Sequence, residues 1–126
     1  MERPIRVLVA NRPRLMRELI LTTFSDQPDI EIVGEVVDET DIPASMEKTN
    51  PDVIVITQDK LGERPSICDA VLRQRPDVRI IAIAPHHNYS VYYWASLNIH
   101  SHGVEASEES ILSALRTKVS TICGLT

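Results

Sequence analysis

The sequence predicts one α/β domain: a doubly wound (βα)5 arrangement with a parallel five-stranded sheet in the order 2-1-3-4-5 and helices on both faces. Three observations predict it. Short runs rich in β-branched residues recur about every 25 residues, with helical spacing between them. One run, Val53-Ile54-Val55-Ile56, has four consecutive β-branched residues, as in a strand buried on both faces at the centre of a parallel sheet. The intervening stretches are long enough for the crossover helices that parallel strands require.

The elements follow in order. Residues 5–10 form an apolar run bounded by Pro4 and Asn11, read as a buried strand. Asn11 is a competent N-cap, and Leu15, Leu19, Thr22 and Thr23 recur at helical spacing, so helix one runs from there to before Pro28. Residues 30–37 give the second strand, with Ile30, Ile32 and Gly34 on one face. Residues 40–49 give a weaker helix with Pro43 in its first turn and Pro51 beyond its end. The third strand is 53–56. A helix over 65–74 opens on a proline, where a missing N–H costs nothing. Residues 79–84 are the fourth strand, 88–97 the fourth helix, and 98–104 a weak fifth strand. Ser107 starts the last helix, with Glu108 and Glu109 at its N-terminus and Arg116 and Lys118 toward its end, the order the helix dipole favours. Residues 1–120 read as one domain and 121–126 as a tail or the start of a linker.

Composition narrows the function. The 126 residues suffice for one core, and the 43% hydrophobic and 25% charged fractions are those of a globular protein. A net charge of −5 argues against direct nucleic-acid binding, which needs a basic face. The apolar run at the N-terminus is too short for a signal peptide or a membrane span. Cys68 and Cys123 show no Cys-x-x-Cys spacing and read as unpaired thiols of a reducing cytoplasm. There is no glycine-rich phosphate loop and no Ser or Cys nucleophile with a nearby base, so neither an enzyme nor a cofactor is expected.

In such a sheet, ligands and reactive groups collect beyond the carboxyl ends of the strands. The segments to read are therefore Ala10-Asn11-Arg12, Thr57-Gln58-Asp59, Ala84-Pro85-His86 and Val104-Glu105. The chain here resembles a known family. Ile5-Arg6-Val7-Leu8-Val9, residues 28–35, Pro51-Asp52-Val53-Ile54-Val55-Ile56 and Arg75-Pro76-Asp77-Val78-Arg79-Ile80 are similar to the CheY-like receiver domain of bacterial response regulators. The resemblance is closest to the branch that carries a C-terminal helix-turn-helix, and it runs from about residue 3 to 120.

The resemblance implies a set of functional positions. Two acidic residues ending strand one hold Mg²⁺, and an Asp ending strand three accepts a phosphoryl group. A Thr or Ser ending strand four and a Lys ending strand five contact the phosphate. The chemistry needs hard oxygen ligands for the ion and positive charge for the transferred group. In this sequence the acidic pair corresponds to Ala10 and Asn11, the acceptor to Thr57, the Thr/Ser to Ala84 and the Lys to Val104. The aromatic residue of strand five aligns with Ser101. A slip in the alignment would offer Asp59 as an acceptor, past the strand end, but would restore no carboxylate near strand one. The expectation is a degenerate receiver without aspartyl phosphorylation or Mg²⁺.

Other features are weighed beside it. Arg12 could bind an anion over the vacated site. His86, His87, His100 and His102 flank strands four and five, and two His at alternate strand positions make a metal site or a pH-sensitive patch conceivable, with Glu105 close by. Tyr89, Tyr92, Tyr93 and Trp94 fall on the predicted fourth helix. Tyr93, Trp94 and Leu97 are expected to pack against the sheet, and Tyr89 and Tyr92 to point outward as interface anchors. In the family the face from helix four to helix five forms dimers and contacts outputs. The function expected is therefore a phosphorylation-independent signalling module that works by protein–protein contact or homodimerisation. It would be the regulatory part of a transcription regulator or a stand-alone adaptor; a small-ligand or metal-binding flavodoxin-like protein is the reading from another class.

Overall fold

A computed structural model describes residues 3–60, 62–84, 89–96 and 99–124, with the backbone alone for residues 99, 100, 102, 105 and 117–124. Strand β1 (Ile5–Val9) leads to helix α1 (Arg14–Ser25), strand β2 (Ile30–Glu35), a 3-10 turn (Glu39–Asp41) and helix α2 (Ile42–Thr49). Strand β3 (Val53–Thr57), helix α3 (Ser66–Gln74) and strand β4 (Arg79–Ala84) follow. To this point the observed strand–helix alternation matches the expected one.

The expected five-stranded parallel sheet is corrected beyond β4. Residues 89–95 form a strand, β5 (Tyr89–Ala95), where a helix over 88–97 was expected. A second strand, β6 (Ile99–Glu105), completes a hairpin before helix α4 (Glu108–Gly124). The sheet has six strands in the order β2-β1-β3-β4-β5-β6. β2, β1, β3 and β4 are parallel, and β5 and β6 are antiparallel to their neighbours. The cause lies in the side chains and in what they bury. Tyr89-Ser90-Val91-Tyr92-Tyr93-Trp94 is rich in aromatic and β-branched side chains, which suit a pleated surface. As a strand the run buries side chains on both sheet faces, whereas one helix face could bury only part of it.

Alternation along the strands sends residues to two cores. Leu8, Ile54, Ile56, Ile80, Ala82, Val91 and Tyr93 meet Ile42 and Met46 of α2 and Cys68, Val71 and Leu72 of α3. Val7, Val9, Val53, Val55, Ile81, Ile83 and Tyr92 meet Ile20 and Phe24 of α1 and Ile111, Leu112 and Leu115 of α4. All five residues of β3 are buried, as its β-branched run requires. Helices thus cover both faces, as expected.

Two details of α1 differ from expectation. Asn11 does not cap it: the N-cap is Pro13, without a side-chain hydrogen bond, and Asn11 is buried at the end of β1. The buried stripe of α1 is Arg17, Ile20 and Phe24, while Leu15 and Leu19 are exposed. Elsewhere the punctuation is as expected. Pro43 lies in the first turn of α2, and Asn50 closes that helix at φ 52°, a left-handed conformation Asn tolerates. Ser107 Oγ accepts from Ser110 N at 3.1 Å at the start of α4.

Arg116 of α4 reaches the α1–β2 connection. Its Nη2 donates to Asp29 Oδ1 at 2.9 Å and to Gln27 Oε1 at 2.9 Å. The Arg116 hydrogen bond holds the Asp29 carboxyl below its ordinary range. Because the folded-state value is depressed, the contribution is present above the unfolded carboxylate range and lost as pH falls through the folded value. Both side chains are nearly half exposed, so Arg116→Ala should cost only about 0.5 kcal/mol at pH 7. Urea unfolding of both proteins should show that difference shrink as pH falls from 7 through the carboxylate range; an equal difference throughout would exclude the ion pair as its source.

Candidate functional site

The parallel order brings the carboxyl ends of β1, β3 and β4 side by side. Ala10 N donates to Val55 O at 2.8 Å, and Gln58 N donates to Ile83 O at 2.8 Å. Ala10, Asn11, Thr57 and Ala84 therefore lie at adjacent strand ends, all buried. No side chain among these four carries charge.

Each polar group there is turned inward. Arg12 N donates to Thr57 Oγ1 at 2.8 Å, and the same hydroxyl donates to Arg12 O at 2.9 Å. Thr57 thus ties the end of β3 to the β1–α1 connection. Asn11 Nδ2 donates to Ile56 O at 2.9 Å. Asn11 Oδ1 is buried without a hydrogen-bond partner among the described residues. Arg17, buried in α1, donates from Nε to Glu35 Oε1 at 2.7 Å and from Nη1 to Asn11 O at 3.2 Å.

A second group of charges lies above this layer. Arg12 Nη2 lies 2.8 Å from Asp59 Oδ2 and 3.5 Å from Glu39 Oε2. The Asp59 hydrogen bond raises the guanidinium pKa further above its ordinary value, so Arg12 stays charged. Asp59 lies past the strand end, in the loop, with its carboxylate engaged by Arg12. The guanidinium supplies positive charge to two carboxylates at the mouth of the site. The arrangement positions and neutralises; among the described residues it presents no free nucleophile.

Gln58 organises the neighbouring loop, a role its sequence position did not signal. Its amide is buried, and Nε2 donates to Lys60 O at 2.7 Å and to Glu63 O at 2.6 Å. Oε1 accepts from Tyr93 OH at 3.2 Å. The loop after β3 is thereby hydrogen-bonded to the hairpin. Burial raises the Tyr93 phenol pKa, and the hydroxyl remains a donor.

The remaining candidates are dispersed. Val104 lies in β6, with β5 between it and β4, so it does not adjoin Ala84. Ser101 is exposed in β6. Of the four aromatic candidates, Tyr92 and Tyr93 are buried and Trp94 is half-buried; only Tyr89 is exposed, at 38%. The outward orientation expected for Tyr92 is therefore corrected: on a strand it faces the α1/α4 core, opposite to Tyr93. Leu97, His86 and His87 lie outside the described residues, as do the side chains of His100, His102, Glu105 and Cys123. Among the described residues no three His, Cys, Asp or Glu side chains group as metal ligands. The Cys68 thiol is buried, and burial pushes its pKa up to about 12, so it is not a nucleophile at neutral pH. No described helix is long and apolar enough to cross a membrane.

Comparisons with known proteins place this geometry. No family model matches the chain. Two curated relatives are each 32% identical over 56 residues, 44% of this chain: protein-glutamate methylesterase/protein-glutamine glutaminase 1 of Rhizobium johnstonii and the protein-glutamate methylesterase/protein-glutamine glutaminase of Rhizobium etli. The match spans 16% of either relative's length. The solved response regulator domain of Thermotoga maritima CheB superposes with a TM-score of 0.56 at 25% identity, over 65% of this chain and 61% of that one. The chain has the fold of a response-regulator receiver domain. A second solved receiver, that of the response regulator NarL from Mycobacterium tuberculosis, shares the fold at a TM-score of 0.56, with 23% identity over 68% of this chain and 69% of that one. This receiver-like domain departs from the regular five-stranded pattern in its β5–β6 hairpin.

Proposed function

We propose that this receiver-like domain signals through protein–protein contacts and accepts no phosphoryl group. The observation that carries the reading is the set of strand ends. Ala10, Asn11, Thr57 and Ala84 stand where phosphoryl transfer needs an ion-binding carboxylate pair, an acceptor carboxylate and a hydroxyl. The hydroxyl that is present, on Thr57, is engaged as both donor and acceptor by Arg12 backbone groups. Arg12 itself is paired with Asp59 and Glu39 over the site. Val104, the position the resemblance assigns to a lysine, lies in β6 and carries no charge.

The reading extends to the cytoplasm and to the regulatory half of a transcription regulator of the helix-turn-helix branch. A stand-alone adaptor is the other form of the same function. The aromatic hairpin stands where the family's fourth helix was expected and is the region to search for the contact surface.

Incubation with acetyl phosphate and Mg²⁺ followed by intact-mass measurement tests the proposal. The mass is expected to stay unchanged; an increment of one phosphoryl group would overturn it.

A further inference from the structure

β6 ends the sheet. Which of its backbone groups face outward follows from hydrogen bonds deeper in the sheet. Arg79 N donates to Asp52 O at 3.0 Å, and Ile83 O accepts from Gln58 N at 2.8 Å, so odd-numbered residues of β4 face β3. Ile80, Ala82 and Ala84 therefore face β5, opposite Tyr93, Val91 and Tyr89. Ser90, Tyr92 and Trp94 then face β6, opposite Val104, His102 and His100. The outward N–H and C=O groups of β6 belong to Ile99, Ser101, Gly103 and Glu105.

The two edges of the sheet are managed differently. β2, at the far edge, carries Glu31 and Glu35, an Arg6–Glu31 ion pair and a register shift between Val7 and Leu8. Charge and bulges of this kind discourage edge pairing. From residue 99 to residue 104, β6 carries no Asp, Glu, Lys, Arg or Pro. Its β5 pairing runs without a shift from Ala95–Ile99 to Tyr89–Glu105. Ser101 and Gly103 are exposed. The Tyr89 ring lies across Gly103, where a Cβ would meet its hydroxyl oxygen and ring edge. Only glycine admits the ring this close to the edge strand.

We propose that β6 is a self-association edge: two copies of this chain pair β6 against β6, antiparallel, into one continuous sheet. The inference names the surface of the contact-based function proposed above and rests on that reading. A second copy is the occupant that the geometry of the strand favours. The chain carries a net charge of −5, so two copies repel at long range, but residues 99–104 bring no fixed charge to the seam and the one acidic residue of β6, Glu105, lies at its end. The geometry is self-complementary. The outward residues are spaced evenly about residue 102, so a twofold axis there sets Ile99 opposite Glu105 and Ser101 opposite Gly103 of the second copy. Every outward group of β6 then finds a partner in a single register. Tyr89, lying over Gly103, covers the seam from each side.

Amide hydrogen exchange of the full chain reads the seam directly. The Ser101 and Gly103 amides should be protected at high protein concentration and exchange freely on dilution, while the inward amides of His100 and His102 stay protected throughout. Sedimentation velocity should show a dimer, and Ser101→Pro, which removes an outward donor and no β5 bond, should weaken it about a hundredfold. Its near-ultraviolet spectrum should remain that of the unmodified chain. Outward amides that exchange at one rate at every concentration overturn the proposal. So does a monomer that acquires the protection only with an added strand peptide. Neither result bears on the phosphoryl test, which is read by mass.

Discussion

Truncating Tyr93 to alanine is expected to destabilise the fold by about 4 kcal/mol, the range for removing a buried aromatic side chain. The ring is 5% exposed and packs among Ile80, Val91 and the residues of α2 and α3. Its hydroxyl donates to Gln58 Oε1 at 3.2 Å. Tyr93→Phe keeps the ring and leaves that buried oxygen without its donor, at about 1–2 kcal/mol. Urea midpoints at constant slope separate packing from hydrogen bonding. A loss under about 1 kcal/mol for the alanine variant would mean that the hairpin does not pack as described. The phenylalanine variant carries a second expectation: loop residues 58–63 should exchange their amides faster, because Gln58 holds Lys60 O and Glu63 O from the same side chain.

Asn11→Asp is expected to cost about 3 kcal/mol at pH 7, a value set by placing a carboxylate in a site with no exposed surface. The substitution also removes the Nδ2 donor to Ile56 O. Two arginines lie near, but Arg17 is engaged by Glu35 and Arg12 by Asp59 and Glu39, so desolvation outweighs their attraction. Burial raises the carboxyl pKa in the folded state. The penalty is therefore smallest below the unfolded carboxylate value, about 4, and grows as pH rises toward the folded value. Denaturant unfolding at pH 4 and pH 7 checks the sign; a larger penalty at pH 4 would refute it. Adding Mg²⁺ should not restore stability, because one carboxylate beside Ala10 and Thr57 makes no ion site. Restoration would revive an ion-binding reading of the strand ends.

Much of this was legible in the residues. Val53-Ile54-Val55-Ile56 could only be a central strand, and Pro28, Pro51 and Pro76 bounded its neighbours. The strand-end positions followed, because parallel order alone sets β1 beside β3. The hairpin was not legible as such. Tyr89 to Trp94 satisfies a helix that buries Tyr93 and Trp94 as readily as a strand that sends Tyr92 and Tyr93 to opposite faces. The regular alternation upstream favoured the helix. Gln58 was hidden for the same reason: its partner Tyr93 reaches it only when β5 lies against β4. Asn11 shows the limit of local rules, since a good capping residue was recruited to close the end of β1 instead.

The hairpin also bears on the order in which the sheet can assemble. Each parallel pairing in β2, β1, β3 and β4 must close a loop containing a helix, which is slow and costs chain entropy. β5 and β6 pair antiparallel, with Ala95 opposite Ile99, so their register is set locally. A hairpin of that kind forms in about 1–10 μs, before crossover pairings are established. It can then offer β4 a preformed edge on which to dock, and the segment that departs from the regular pattern becomes the template for its last parallel strand.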